Sequence, residues 1–247
     1  MTMSVSVCLP ARNEEDTVGA IVHAIRRDLV DDAQLVDEIV VVDDGSIDET
    51  AARAAAEGAR VVTVTDGPGK GRALWNGLRT TTGDVVVFCD ADLYEFDSRF
   101  ITGLVAPLLA DEKVGFVKGY YRRPLGDRPA DGGRVTELVA RPLLRLVCPY
   151  LGEVVQPLGG EYAGRRNLLT QVPFIEGYGV DVGLLIDLTT RFGADVLAQV
   201  DLGVRLHRNR PLNELVPQAT AVMEAVLVRA GKLDGPLAEL PPVASLT

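Results

Sequence analysis

Short apolar runs alternate with stretches of helical spacing from residue 5 to residue 89, and this alternation constrains the fold more than any other feature. The apolar runs predict strands at residues 5–9, 38–42, 60–65 and 84–89. The intervening stretches predict helices at residues 16–29, 48–58 and 69–82. Strands that are almost continuously apolar are buried on both faces, as in parallel sheets covered by helices. The sequence therefore predicts an α/β fold with a mostly parallel sheet and helices on both faces.

Carboxylates follow two of these predicted strands. Asp44 comes after the second strand, and Asp90 and Asp92 come directly after the fourth. Ligands of open parallel sheets bind beyond the carboxyl ends of the strands, so we expect these side chains at one edge. Mg²⁺ and Mn²⁺ prefer oxygen ligands, and Mg²⁺ is usually held by one or two carboxylates together with substrate phosphates. Asp90, Ala91 and Asp92 thus indicate a metal–diphosphate site, for which a solvated turn is the alternative interpretation.

The composition excludes several classes of partner. The chain of 247 residues has a formal net charge of -10, which argues against nucleic-acid binding because that affinity depends on cationic side chains. No apolar stretch approaches the roughly 20 residues that span a bilayer, and the first residues do not resemble a secretion signal. The three Cys residues are far apart, which favours reduced thiols over disulfides. We therefore expect a cytoplasmic protein that binds neither nucleic acid nor membrane.

The second half of the chain has a less regular pattern. It predicts strands at residues 114–121 and 196–206 and helical segments at residues 135–151, 187–192 and 215–230. No break in composition marks a second domain, so we expect one domain over residues 1–230. Its expected parts are a nucleotide-sugar-binding half at residues 1–113, an acceptor-binding half at residues 114–212, and a C-terminal helix at residues 213–230. Few signals of order follow, which predicts a poorly ordered tail at residues 231–247.

Four motifs occur in an order that resembles glycosyltransferases of the Rossmann-like GT-A fold, which use nucleotide-sugar donors. The motifs are Pro10-Ala11-Arg12-Asn13-Glu14-Glu15, Val41-Val42-Asp43-Asp44-Gly45-Ser46, Gly69-Lys70-Gly71 and Asp90-Ala91-Asp92. Later segments, at residues 159–163, 173–181 and 199–212, are similar to the glucosyl-3-phosphoglycerate synthases of actinobacteria. The resemblance implies a retaining enzyme that moves glucose from a nucleoside-diphosphate-glucose to the 2-hydroxyl of 3-phosphoglycerate. It also implies Mg²⁺, with Mn²⁺ as a substitute, and a homodimer.

The same resemblance implies roles for individual residues. The implied donor-binding residues are Pro10, Ala11, Arg12, Glu14, Asp44, Ser46, Gly69, Lys70, Asp90, Ala91, Asp92, Leu158 and Tyr178. The implied acceptor-binding residues are Gly133, Arg134, Thr136 and Asn209, and the implied metal ligands are Asp92 and His207. Asp181 and Arg205 are the implied catalytic residues. For Asp181 we favour an orienting role over that of a nucleophile, because a front-face reaction lets the leaving phosphate accept the proton.

Several alternatives stay open at this point. Lys70 could be a solvated turn lysine, Arg134 an exposed loop arginine, and His207 a surface histidine. The donor base could be uracil or guanine, which leaves UDP-glucose and GDP-glucose as candidate donors. The acceptor could be another small anion or a sugar phosphate, and the chain could be an inactive nucleotide-sugar-binding protein.

Overall fold

The computed structural model describes residues 3–122, 133–205 and 211–246. The strands are β1 Val5–Ala11, β2 Glu38–Asp43, β3 Arg60–Thr63, β4 Val85–Phe88, β5 Phe116–Arg122, β6 Tyr162–Arg165, β7 Phe174–Ile175, β8 Leu197–Val204 and β9 Glu239–Leu240. The α-helices are α1 Val18–Ile25, α2 Thr50–Ala56, α3 Lys70–Thr80, α4 Arg99–Ala110, α5 Arg141–Val147, α6 Arg166–Leu169, α7 Val180–Phe192 and α8 Leu212–Arg229. Turns of 3₁₀- or π-helix cover Arg26–Asp32, Thr136–Ala140, Pro149–Leu151, Ala194–Val196 and Val243–Leu246.

The main sheet has the strand order β3-β2-β1-β4-β6-β5-β8 within the described residues. β6 is antiparallel to β4 and β5, and the other neighbouring strands are parallel. The prediction of an α/β fold with a mostly parallel sheet is therefore confirmed. The sequence pattern missed β6, because this strand has only four residues and includes a glycine, which weakens strand propensity.

Apolar side chains on both faces of the sheet explain why the strands read as continuous apolar runs. Val7 and Leu9 of β1 lie in one cluster with residues of α1 and α4, and Cys8 between them lies in a second cluster with residues of α3, α7 and α8. Successive side chains of a strand point to opposite faces, so both faces require apolar residues. The helices on both faces follow from this pattern.

The parallel register brings the ends of three strands together. Ala11 at the end of β1 is paired with Asp43 at the end of β2, and Phe88 at the end of β4 is paired with Cys8 of β1. The loops that follow these strands consequently share one edge of the sheet. This is the edge at which the sequence predicts the ligand site.

Helix α7 is longer than the pattern predicts, beginning at Val180 rather than near residue 187. Its first half is buried on almost all sides, so it shows no alternation of polar and apolar faces. Asp181 lies in the first turn of α7 and is 4% exposed. The additional turns at the start of α7 therefore place the carboxylate of Asp181 behind the edge of the sheet at which the ligand site is predicted.

The segment predicted as a poorly ordered tail, residues 231–247, contains the strand β9. β9 pairs antiparallel with β7, and the indole N–H of Trp75 donates a hydrogen bond to the carbonyl of Pro241 at 2.8 Å. These partners lie far away along the sequence. The local sequence pattern therefore could not predict that this segment is ordered up to residue 246.

Cys8, Cys89 and Cys148 are free and buried, as the spacing predicts. Among the described residues, the helices are either too short or too polar to cross a bilayer.

Candidate active site

A cleft of about 530 Å³ opens at the carboxyl edge of the sheet. The predicted donor-side residues that line it are Pro10, Ala11, Arg12, Glu14, Asp44, Gly69, Lys70, Asp90, Ala91, Asp92, Leu158 and Tyr178. The same cleft is lined by Gly133, Arg134, Thr136 and Arg205. His207 and Asn209 lie outside the described residues. Ser46 and Asp181 do not belong to the lining, and their positions are described below.

Arg205 lies at the base of the cleft and is 3% exposed. Its guanidinium Nη2 donates to Asp92 Oδ1 at 2.7 Å and to Asp90 Oδ2 at 3.0 Å. Nη1 donates to the hydroxyl of Tyr121 at 2.8 Å and lies 2.9 Å from Glu161 Oε1. Burial opposes the charge, but Glu161, Tyr121, Asp90 and Asp92 outweigh it and raise the pKa of Arg205 well above its ordinary value. The cleft therefore keeps a permanent buried cation.

Lys70 provides a second cation beside Asp90. Its Nζ donates to Asp181 Oδ2 at 3.0 Å and lies 3.3 Å from Asp90 Oδ1. Burial disfavours the charged amine, but Asp181 and Asp90 together raise the pKa of Lys70 above its usual value. The alternative of a solvated turn lysine does not fit these contacts.

Gly160 is required by the close approach of its backbone to Asp90. A Cβ at residue 160 would lie 2.2 Å from Asp90 Oδ1 and 2.4 Å from Oδ2, which real Cβ atoms do not tolerate. Asp90 cannot move aside without leaving Lys70 and Arg205. The missing side chain of Gly160 thus leaves room for the Asp90 carboxylate between Lys70 and Arg205.

The loop after β2 and the start of α3 meet through Asp44. Both carboxylate oxygens of Asp44 accept from the N–H of Gly69 at 3.0 Å. Burial raises the pKa of Asp44, and the Gly69 N–H and Arg12 act in the opposite direction. The hydroxyl of Ser46 accepts from the N–H of Asn13 at 3.0 Å, so in this structure Ser46 joins the first two loops.

The glycines around Lys70 are required by packing. A Cβ at Gly71 would lie within 1.7 Å of the carbonyl oxygen of Ile175, and one at Gly69 within 2.6 Å of that of Glu176. The N–H of Gly71 donates a hydrogen bond to the backbone carbonyl of Glu176 at 3.0 Å. The start of α3 is therefore pressed against β7, and this contact fixes the direction of the Lys70 side chain.

The opposite wall of the cleft comes from the second half of the chain. Arg134 and Thr136 line it near the turn Thr136–Ala140, and α8 adds Leu215 and Gln218. Thr136 is 2% exposed. A guanidinium, a hydroxyl and backbone N–H groups at a helix start are suited to bind an anion. The structure therefore places the predicted donor and acceptor sides across one cleft.

Comparison with known proteins agrees with this geometry. The sequence pattern of glycosyl transferase family 2 matches residues 6–175. A glucosyl-3-phosphoglycerate synthase from Mycolicibacterium smegmatis is 53% identical over 242 residues, which cover 94% of this chain and 79% of that protein. The chain belongs to glycosyl transferase family 2, among the glucosyl-3-phosphoglycerate synthases.

Solved structures of this synthase family share the fold. The glucosyl-3-phosphoglycerate synthase from Mycobacterium tuberculosis in complex with Mn²⁺, UDP-glucose and phosphoglyceric acid has a TM-score of 0.90 and 46% identity, with 99% of this chain and 91% of that chain covered. The same protein in complex with Mn²⁺, UDP and glucosyl-3-phosphoglycerate has a TM-score of 0.91 with 46% identity, covering 99% of this chain and 92% of that chain.

The carboxylate of Asp92 has the chemistry of a divalent-cation ligand. The side chain is 41% exposed and supplies hard oxygen atoms. Within residues 3–122, 133–205 and 211–246, no group of three His, Cys, Asp or Glu side chains could hold a metal by itself. A cation at Asp92 would complete its shell with substrate phosphate oxygens and with a ligand outside those ranges, such as His207. The residues present therefore fit a cation that binds together with a diphosphate.

Sequence reasoning missed three buried residues that support the synthase cleft. Glu161 is 0% exposed and pairs with Arg205, and Lys118 is 1% exposed behind residues 158–160. Tyr121 belongs to none of the recognised sequence motifs, but its hydroxyl accepts a hydrogen bond from Arg205. Charged residues within apolar strand segments were the available signal. Gln218 was missed as well, because α8 reads only as an amphipathic helix.

Proposed function

We propose that this chain transfers glucose from UDP-glucose to the 2-hydroxyl of 3-phosphoglycerate with retention at the anomeric carbon. The products are UDP and glucosyl-3-phosphoglycerate. The observation that carries the proposal is the cleft whose lining includes both Asp90, Asp92 and Arg205 and the predicted acceptor residues Arg134 and Thr136. The ligands of the Mycobacterium tuberculosis relative support the same donor and acceptor.

The donor is expected to bind along the edge of β1, β2 and β4. Arg12, Glu14 and Asp44 line the part of the cleft suited to a nucleoside, with Gly69 held by Asp44. A divalent cation, Mg²⁺ or Mn²⁺, held by Asp92 and His207 would stabilise the negative charge on the diphosphate as it leaves. The cation of the relative is Mn²⁺, and Mg²⁺ has the same preference for oxygen ligands.

Arg205 and Lys70 are the fixed positive charges next to this position. Arg205 is buried and Lys70 is partly buried among carboxylates whose positions are already set, so they need no reorganisation when charge develops on the leaving group. Preorganised charges in a site that excludes water stabilise a transition state far more than mobile charges in water. Arg205 is therefore assigned to leaving-group stabilisation.

The acceptor is expected to bind against the opposite wall. Arg134 and Thr136 would hold its phosphate, with Asn209 as an additional donor. The acceptor 2-oxygen bonds to the anomeric carbon on the face that the diphosphate leaves, the bond to the diphosphate breaks, and the hydroxyl proton passes to the leaving phosphate. Asp181 is occupied by Lys70 at 3.0 Å, which supports an orienting role over that of a nucleophile.

The proposal predicts that UDP release from UDP-glucose depends on 3-phosphoglycerate and on Mg²⁺ or Mn²⁺. The measurement is UDP formation with and without the acceptor, with GDP-glucose and with glucose 6-phosphate as the alternative donor and acceptor. Proton NMR of the product should show an α-linked glucose if the configuration is retained. Release with another acceptor alone would redirect the assignment, and donor binding without release would indicate an inactive binding protein.

We also propose that the chain forms a homodimer in the cytoplasm. Leu212 and Val216 of α8 are 66% and 59% exposed, and Met223 on the same helix is 44% exposed. Apolar side chains repeated along one helix are typical of a protein–protein contact. Multi-angle light scattering should give twice the chain mass, and Val216→Glu should shift it to that of the monomer. A monomer at micromolar concentration in the unaltered protein would refute the proposal.

A further inference from the structure

Lys118 is a lysine inside the central sheet. It lies on β5, is 1% exposed, and its Nζ donates to the carbonyl of Gly159 at 2.6 Å. Lysine is almost never fully buried, because removing an ammonium group from water is costly without compensating partners. The neighbouring positions Phe116 and Val117 are filled by apolar residues, which shows what the sheet would accept. A buried cation here therefore indicates a role beyond packing.

The surroundings of Lys118 are mostly acidic. Its Nζ lies 4.5 Å from the centre of the Tyr162 ring, a cation–π distance. The charged groups that act on it are Asp181 of α7, Lys70 of α3, Glu161 before β6 and Asp90 after β4. Burial lowers the pKa of Lys118 to about 8, with Lys70 acting in the same direction and the three carboxylates opposing it.

The hydrogen bond of Lys118 ends on a turn that touches the cleft. The N–H of Gly159 donates to the carbonyl of Gln156 at 3.1 Å, which closes the turn. Leu158 on one side of Gly159 lines the cleft, and Gly160 on the other side lies against the carboxylate of Asp90. A shift of Gly159 would therefore move both Leu158 in the cleft lining and the backbone of Gly160 that lies close to Asp90.

We propose that Lys118 is a positioning residue for the transfer reaction: its ammonium group fixes the turn at residues 156–160 and so holds Asp90 between Lys70 and Arg205. The kinetic test of this inference rests on the proposed function, because it measures the transfer reaction. Lys118 lies behind the turn and does not belong to the cleft lining, so it acts through these neighbours.

The test compares Lys118→Met, Lys118→Arg and the exposed control Lys113→Met. Lys118→Met keeps the length of the side chain without its charge or donor, and we expect kcat to fall about 30-fold, since charge-assisted hydrogen bonds have effects of this order. The dissociation constant of UDP, measured by calorimetry, should change less than about threefold, because Arg12, Glu14 and Asp44 belong to the loops after β1 and β2 and not to this turn. A purely structural role would instead lower the thermal midpoint and leave kcat of the folded fraction unchanged.

The dependence of kcat/KM on pH gives a second readout. In the unaltered protein the rate should fall as pH rises above about 8, because the charge on Lys118 is then lost. Lys118→Arg keeps its charge in this range, so its alkaline limb should move to higher pH by more than about one unit. A folded Lys118→Met with kcat within about threefold of the control, or an unmoved limb in Lys118→Arg, would overturn the inference. If the unaltered protein itself showed no transfer, the proposed function would fail instead.

Discussion

An Asp92→Asn variant will release UDP from UDP-glucose at least about a thousandfold more slowly than the unaltered protein at saturating acceptor. Asparagine keeps the size of the side chain but removes the negative charge that attracts a divalent cation. The carboxylate of Asp92 lines the cleft and is 41% exposed, so a cation bound to a diphosphate can reach it. A cation that stabilises a leaving diphosphate contributes several kcal/mol, and each factor of ten in rate corresponds to about 1.4 kcal/mol.

A binding measurement separates this effect from damage to the cleft. Mn²⁺ affinity in the presence of UDP, followed by electron paramagnetic resonance, should fall together with the rate. Asp97→Asn is a matched control, because Asp97 is a carboxylate in the same loop region that pairs with Arg99. It should keep near-normal turnover. If Asp92→Asn kept a rate within about tenfold of that control, Asp92 would not be an essential metal ligand.

The sheet and its ligand edge could be predicted because their signals are local. Val7, Cys8 and Leu9 are apolar since β1 is buried on both faces, and Asp44, Asp90 and Asp92 follow strands that end at one edge. The period of the side chains and the direction of parallel strands suffice to bring these carboxylates together. Most of the predicted donor residues line one cleft for this reason.

The interior of the site could not be predicted, because it depends on pairings between distant segments. Glu161 and Arg205 are separated by 44 positions, and Lys118 and Gly159 by 41. The β5–β6–β8 arrangement that joins them includes an antiparallel strand too short to be recognised from its pattern. Charged residues in apolar strands marked these positions, but their partners could only be found in three dimensions.

The roles of Gly69 and Gly71 also could not be predicted from the sequence alone. Their pattern before a helix is typical of a backbone that approaches a phosphate. In the fold, their missing side chains make room for the carbonyl groups of residues 175 and 176. A glycine motif indicates a close approach, but its sequence does not say which group approaches.

The second large effect is on stability: Glu161→Ala should lower the free energy of unfolding by about 3 kcal/mol. Removing one partner of a buried ion pair leaves an uncompensated charge, and this costs about 3–5 kcal/mol. Glu161 is 0% exposed and Arg205 is 3% exposed, so water cannot replace the lost carboxylate. Asp90 and Asp92 still contact Arg205, which places the expected loss at the lower end of that range.

Urea unfolding of Glu161→Ala, Glu161→Gln and Glu137→Ala measures this loss. Glu137 pairs with Arg141 at 2.7 Å on a helical surface, where its side chain is 47% exposed, and such pairs contribute only about 0.3–0.5 kcal/mol. Glu161→Gln keeps an acceptor for Arg205 and should fall between the other two variants. Because Arg205 is also assigned to the leaving group, kcat of Glu161→Ala should fall even under conditions where the variant is fully folded. Equal losses in Glu161→Ala and Glu137→Ala would mean that Arg205 does not depend on Glu161, and the position of the guanidinium would then have to be set by Asp90, Asp92 and Tyr121 alone.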